Sequence, residues 1–321
     1  MKRIVALTLV LMMLLMLTAC GSTAAPADDG KYTIGICQLI THDALDAATK
    51  GFQDAVIAGL GEENVTFDLQ NAAGDSGTCA SIANAFVAAE VDLIMANATP
   101  ALQNAQAATA DIPILGTSVT EYGVALDIKD FNGTVGGNVS GTSDLAPLDE
   151  QAAMLQEWVP DAKNVGLLYC SAEANSKYQV DTIKALLEEK GYACEMFAFA
   201  DSNDMPAVTN AACEFADVIY VPTDNAVASS TDIIDGICRA AGIPIIAGEE
   251  GICAGCGVAT LSISYYDIGY IAGEMAVEIL VNGANPGEMD IQFAPETVKK
   301  YNADICSALG ITPPADYVAI G

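Results

Sequence analysis

The stretch DLIMANATPALQNAQAATADIPILG, Asp92 to Gly116, has an echo in DVIYVPTDNAVASSTDIIDGICRAAGIPIIAG, Asp217 to Gly248. Each copy opens on Asp and an apolar run and reaches a Thr. Each then passes through a helix-like segment and closes on Ile-Pro-Ile, one or two further apolar residues and Gly. A strand, a helix and a second strand account for this order. The interval of about 130 residues is far too long for a solenoid, so the echo predicts two similar lobes.

The rest of the chain fits. YTIGICQL reads as a buried strand, and HDALDAATKGFQDAVIAGLG as an amphipathic helix with Leu45, Ala48, Phe52 and Val56 on one face. Asp43 is expected to cap that helix, and Gly59 and Gly61 to close it. Strands alternate with helices of ten to fifteen residues in both halves, which argues for right-handed crossovers and parallel sheets. The predicted fold is α/β: two similar doubly wound parallel-sheet lobes joined by a multi-strand hinge. One lobe takes residues 31–143 and about 266–291, the other 144–265 and about 292–321. The Gly-rich NGTVGGNVSGTSD, Asn132 to Asp144, is the natural crossing segment.

Ahead of the lobes, Lys2 and Arg3 precede an apolar run from Ile4 to Leu17, followed by LTAC. This is a charged, then apolar, then small-residue leader, with an apolar part too short to span a bilayer. Cys20 directly after Leu-Thr-Ala resembles a bacterial lipobox. The resemblance implies a signal peptide over 1–19 and a lipid on Cys20, with residues 20–30 as the anchor and its tether. Removing the leader leaves ten Lys+Arg against 42 Asp+Glu, a formal charge of −32. So acidic a surface repels phosphate backbones and argues against nucleic acid as a partner. Nine further cysteines remain, an odd number. CAGC, Cys253 to Cys256, is expected in a loop as free or locally bridged thiols, because a zinc site would need two more ligands and the single His42 lies in the other half.

In open parallel sheets, ligands bind beyond the carboxyl ends of the strands. Those ends carry Gln38 and His42, then Thr99, then Thr117, Ser118 and Thr120 in the first half. In the second they carry Glu173, Asn175 and Ser176, then Thr223, Asp224 and Asn225, then Glu249 and Glu250. Thr99 before Pro100 is a good helix cap, and the free N–H groups there suit a carboxylate. The matching position in the second copy is Asp224, an anion suited to an ammonium. Opposite preferences across a cleft describe a small zwitterion, of which an α-amino acid is the simplest. The lone Arg of the mature chain, Arg239, lies deep in a helix, so an anionic group must be held by N–H donors and hydroxyls. Asp144, Glu249 and Glu250 are rival ammonium partners, each expected as a solvated charge. Tyr122, Tyr265 and Tyr266 are candidate pocket walls, and Trp158 is expected in the core.

Taken together, GICQLITHDALDAATKGF, NAAGD, DLIMANATPALQNA, IPILGTSVTE, GGNVSGTSDLAP, EANS, VPTDNAV and YYDIGYIAGEMAVEIL resemble the substrate-binding lipoproteins of ABC importers, of the tryptophan/tyrosine type. The resemblance runs from about Lys31 to Ile311. It implies a type I periplasmic-binding-protein fold that closes on an aromatic or other hydrophobic amino acid. By position, its cleft residues fall on Gln38, Thr99, Thr117, Ser118, Asp144, Asn175, Asp224 and Asn225. Glu121 and the GEEG loop depart from the family pattern, which touches ligand identity rather than fold. The implied partners are an amino acid, an ABC permease with its ATPase, and the membrane through the lipid on Cys20, on the extracytoplasmic face. The chain is expected to be a monomer with no cofactor and no metal. With one His and no GxxxxGK[ST] phosphate loop, an enzyme on this scaffold is a distant alternative. Ligand sensing, or a sugar, nucleoside or small peptide as ligand, is the nearer one.

Overall fold

In the computed structural model, residues 31–320 are described; the leader and Cys20 lie outside them. Strands alternate their side chains between two faces, and the first lobe shows what this does. In β1 (Tyr32–Gln38) and β3 (Leu93–Asn97), Ile34, Ile36, Leu93 and Met95 enter one apolar cluster, while Cys37, Ile94 and Ala96 enter another on the opposite face. A sheet buried on both faces must be covered on both, and helices do so. One face is covered by α1 (Asp43–Leu60) and the long α11 (Tyr265–Asn282). The other is covered by α2 (Ser76–Ala88), α3 (Thr99–Ala108) and the short α4 (Tyr122–Ala125). With β2 (Val65–Asn71), β4 (Ile114–Val119), β5 (Val139–Ser143) and β11 (Gln292–Phe293), the sheet has six strands in the order β2-β1-β3-β4-β5-β11, all parallel. It therefore also takes Gln292 and Phe293, two residues past the sequence-drawn edge of this lobe.

The second lobe repeats the plan. Its helices are α5 (Leu148–Trp158), α6 (Ala174–Glu189), α7 (Met205–Phe215), α8 (Asn225–Ala228), α9 (Thr231–Ala241), α10 (Glu250–Cys256) and α12 (Ala303–Leu309). Its strands are β6 (Asn164–Cys170), β7 (Ala193–Phe199), β8 (Val218–Val221), β9 (Ile245–Ala247), β10 (Ala259–Ser262), β12 (Val298–Tyr301) and β13 (Val318–Ala319). They form a seven-stranded sheet, β7-β6-β8-β9-β10-β12-β13, in which β12 runs antiparallel to β10. The repeated sequence is thus β3-α3-β4 in one lobe and β8-α8-α9-β9 in the other. Trp158 lies in the core, edge-on to Tyr317 with ring centroids 5.0 Å apart.

The chain passes between the sheets between β5 and α5, between β10 and α11, and between β11 and β12. Ala44, Ala48, Ala146, Leu261, Ile263, Tyr265 and Ile268 form a small apolar cluster there. The Gly-rich stretch is not itself the crossing. Most of it belongs to the first lobe, where Ile291 donates to the Gly133 carbonyl. Its Gly141, in β5 with φ 145°, allows a close approach: a Cβ there would sit 2.0 Å from the Gly116 carbonyl oxygen. CAGC is helical rather than a loop, with Cys253 and Cys256 buried in α10. His42 holds the N-cap position of α1 without a side-chain cap, so Asp43 is its first helical residue. Gly61 closes that helix, while Gly59 packs on Val277.

Helices α1 and α11 approach backbone to backbone, because small residues line their contact. A Cβ on Gly269 would stand 2.0 Å from the Ala48 carbonyl oxygen, and one on Gly51 would stand 2.1 Å from that of Tyr266. Helical carbonyls cannot yield without breaking their own ladder. We therefore expect Gly269→Ala to force the pair apart and destabilise the chain by about 1–3 kcal/mol, read as a lowered Tm in thermal unfolding of the ligand-free protein. An unchanged Tm would mean that the two helices are loosely packed.

Candidate functional site

At the carboxyl end of β3 the backbone turns sharply. Ala98 has φ 94° and stands at the N-cap position of α3; its N–H donates to the Thr117 carbonyl and its carbonyl accepts from Leu102. Thr99 is therefore the first helical residue and not the cap. Its Oγ1 makes no cap hydrogen bond and is buried without a partner. One strand over, Ser118 has φ 54°, and its Oγ is likewise buried and unpaired. Two non-glycine residues in sparsely populated backbone at adjacent strand ends are strain of the kind that clusters at ligand clamps. The other two first-lobe candidates are committed elsewhere. Thr117 Oγ1 accepts from Thr142 Oγ1 at 3.0 Å. The Gln38 amide donates to the Ile40 carbonyl and to Asp46, and its oxygen accepts from Thr49.

The second lobe brings anionic groups, and one lies beside Ser118 in the first: the Asp144 N–H donates to the Val119 carbonyl. Asp144, at the end of β5, accepts from Tyr265 Oη on Oδ2 at 3.0 Å, while its Oδ1 has no partner. Asp224 is the N-cap of α8: Oδ1 accepts the Val227 N–H at 3.0 Å and Oδ2 the Cys170 N–H at 2.7 Å. Glu173 accepts the N–H groups of Asn225 and Ala226 and the side-chain amides of Asn225 and Asn175. Asn175 keeps a buried, unpaired Oδ1. Glu249 caps α10 through the N–H groups of Gly251 and Ile252. Asp144 and Glu249 are buried, contrary to the expectation of solvated charges; Glu250 is the one that reaches a cation, Lys300 at 2.6 Å.

No ion pair among the described residues includes Asp144, Glu173, Asp224 or Glu249. Burial pushes the Asp144 carboxyl up to about 6, against hydrogen bonds from Thr120 and Tyr265. Burial, reinforced by the nearby Glu173 charge, carries Asp224 up to about 7, and burial carries Glu249 to about 7. A cavity of about 690 Å³ opens between the lobes; of the four buried carboxylates, Glu173 lines it. Leu39, Ile40 and Pro100 line it from the first lobe, and Ala172, Glu173 and Ala226 from the second. His42 reaches across from the first lobe, its Nε2 3.2 Å from Asn225 Oδ1.

Of the eight residues singled out in the sequence, Thr99, Ser118, Asp144 and Asn175 present unpaired buried polar atoms, and Gln38, Thr117 and Asp224 are spent on internal bonds. Asn225 is divided between Glu173 and His42. Glu173 and Tyr265 escaped selection as polar site residues. The signal for Glu173 was its place before ANS at the end of β6. Tyr265 showed only as a pocket wall, because its partner Asp144 is 121 residues away.

The sequence profile of the family described as ABC transporter substrate binding protein matches residues 33–319. A tyrosine-binding protein of Clostridioides difficile (strain R20291) is 38% identical over 307 residues, covering 92% of this chain and 88% of that protein. An ABC domain from Streptococcus pneumoniae in complex with L-Trp superposes with a TM-score of 0.84 at 32% identity, over 89% of this chain and 96% of the other. The ligand-free, open structure of a substrate-binding protein with adhesive properties from Clostridium difficile covers 90% of this chain and 100% of the other at 39% identity, yet its TM-score is 0.68. The whole chain thus superposes better on the L-Trp complex than on the open form.

Because Asp224 caps α8 and ties it to β6, its loss is a structural event. Asp224→Ala is expected to lower the stability of the ligand-free chain by about 1–2 kcal/mol, measured by denaturant unfolding. Stability held at the parent value alongside lost ligand affinity would instead make Asp224 a direct ligand contact.

Proposed function

This chain belongs to the ABC transporter substrate-binding protein family, and from that premise we propose that it captures an aromatic L-amino acid between its lobes and releases it unchanged to an ABC permease and its ATPase. The carrying observation is the set of buried, unpaired atoms Thr99 Oγ1, Ser118 Oγ, Asp144 Oδ1 and Asn175 Oδ1. Buried polar atoms are nearly always paired, so a cluster of orphans at facing strand ends calls for a ligand. Thr99 and Ser118 hydroxyls, with the open N–H groups at the start of α3, suit the α-carboxylate. Asp144 Oδ1, backed by Asn175 Oδ1, suits the ammonium, replacing Asp224 in that role. The ligand side chain extends toward the cavity beside Pro100 and Ile40. The aromatic class is supported by what the tyrosine-binding relative and the L-Trp complex bind. The lipobox-like leader supports a lipid on Cys20 holding the chain to the outer face of the membrane.

Calorimetry on a soluble form beginning after Cys20 is expected to show L-Tyr or L-Trp binding at one site with micromolar or tighter affinity, about −8 kcal/mol or better. Failure of every aromatic amino acid, or tighter binding of a sugar or nucleoside, would reject the reading. Asp144→Asn keeps the shape and removes the charge, and is expected to weaken binding by about 2–5 kcal/mol.

The pH dependence has a definite sign. Burial holds the Asp144 carboxyl at about 6. An ammonium on Oδ1 favours the ionised form and lowers that value, so binding below about pH 6 must release a proton. Affinity should therefore fall as pH drops through about 6, approaching tenfold per unit. Without ligand the sign reverses. The raised Asp144, Asp224 and Glu249 bind protons more tightly folded than unfolded, so their favourable contribution is full below about 4 and fades as pH rises through about 6 to 7. Calorimetry between pH 5 and 8 reads the first effect, and an affinity flat across that range would exclude Asp144 as the ammonium partner.

A further inference from the structure

His42 is the chain's single histidine, and it sits at the N-cap of α1 in extended backbone with its side chain capping nothing. Instead, Nε2 lies 3.2 Å from Asn225 Oδ1, on the other lobe and 183 residues away. The chemistry of the pair is determined by what lies behind Asn225. Its Nδ2 donates to Glu173 at 2.6 Å, and the same carboxylate accepts the N–H groups of Asn225 and Ala226 at 3.2 and 3.0 Å. An acceptor-only carboxylate requires the NH2 of Asn225 to face it, so Oδ1 must face His42. Oδ1 is itself only an acceptor, so His42 Nε2 carries the hydrogen. Glu173 also accepts Asn175 Nδ2 at 3.1 Å, and Asn175 donates to the Thr223 carbonyl at 3.0 Å. Those two bonds turn Asn175 Oδ1, the unpaired atom, away from Glu173. One carboxylate therefore orients both the residue that meets the first lobe and a residue of the candidate ligand site.

We propose that the His42–Asn225 hydrogen bond is a latch that holds the two lobes closed over the bound ligand, with Glu173 setting the latch and the ligand-facing Asn175 in register. This rests on the amino-acid-binding reading above and goes beyond it, because neither latch residue need touch the ligand. His42 is then a positioning residue for ligand retention. A bond made only when the lobes meet stabilises the closed state and has little effect on the encounter of ligand with the open one. Its loss therefore appears in the release rate rather than in the association rate.

The test is stopped-flow kinetics on the chain beginning after Cys20, with L-Tyr and L-Trp as probes. The variants are His42→Ala, His42→Gln, Asn225→Ala and the His42→Ala/Asn225→Ala double, each checked for an unchanged unfolding transition. His42→Ala is expected to speed release about fivefold to tenfold, as for one lost hydrogen bond in a closed cleft, with association changed less than twofold. His42→Gln restores a donor and should recover part of the loss. Should Asn225→Ala perturb α8 and unfold more readily, the His42 pair of variants still decides. The double variant should release no faster than the quicker single one, since each removes the same bond. Release rates of His42→Ala within twofold of the parent, or multiplicative single effects in the double, would overturn the latch alone. Absence of binding to both probes by the parent chain would overturn the amino-acid reading and the latch with it.

Discussion

Four carboxylates lie buried where the two sheets face each other, and among the described residues no cation is paired with any of them. Burying a charge unpaired is expensive, and the rest of the cleft is arranged around that expense. Three of the four are held by backbone. Glu173 and Asp224 accept from the first turn of α8 and Glu249 from that of α10, where helix starts supply free N–H groups and a favourable dipole. Asp144 differs: Tyr265 Oη bonds one of its oxygens and the other has no partner. The carboxylate with an unpaired oxygen is the one proposed above to take the ammonium.

On the side proposed for the carboxylate the polar groups are hydroxyls and helix-start N–H groups; Arg239, the one arginine among the described residues, pairs with Asp235. Thr99 and Ser118 sit on backbone bent through Ala98 at φ 94° and Ser118 at φ 54°. Such geometry survives only when its surroundings over-determine it. Here they do: Ala98 is bonded to Thr117 on one side and Leu102 on the other, and Ser143 Oγ donates to the Thr120 carbonyl two residues beyond Ser118. The tight α1–α11 pair covers one face of the first-lobe sheet. Tyr265, at the head of α11 and in the crossing cluster, hydrogen-bonds Asp144, so the site and the crossings share a residue.

The doubly wound halves were legible in the sequence because helix and strand periods are local. Alternating Ile34, Ile36, Leu93 and Met95 against Cys37, Ile94 and Ala96 needs only a few neighbouring residues to read. The echo around Thr99 and Asp224 likewise located the facing strand ends. Errors arose where a residue's partner was remote. Asp224 looked free, because the Cys170 N–H that binds it is 54 residues back in the chain. Gln38 looked available, but Thr49 and Asp46 on the next helix take its amide. CAGC read as a loop between glycines, but Glu249 caps it into a helix.

By itself, then, the sequence determined the two lobes, their parallel sheets and the band of polar residues at their carboxyl ends, since each follows from short-range pattern and turn chemistry. Tertiary structure alone decided which of those polar atoms remain unpaired. That depends in large part on bonds between remote residues, such as Thr117 with Thr142, 25 positions apart, and His42 with Asn225, 183 apart. Hydrogen bonds saturate: once a distant group has taken an oxygen's capacity, no local pattern reveals it, and only the folded chain shows which atoms are left for a ligand.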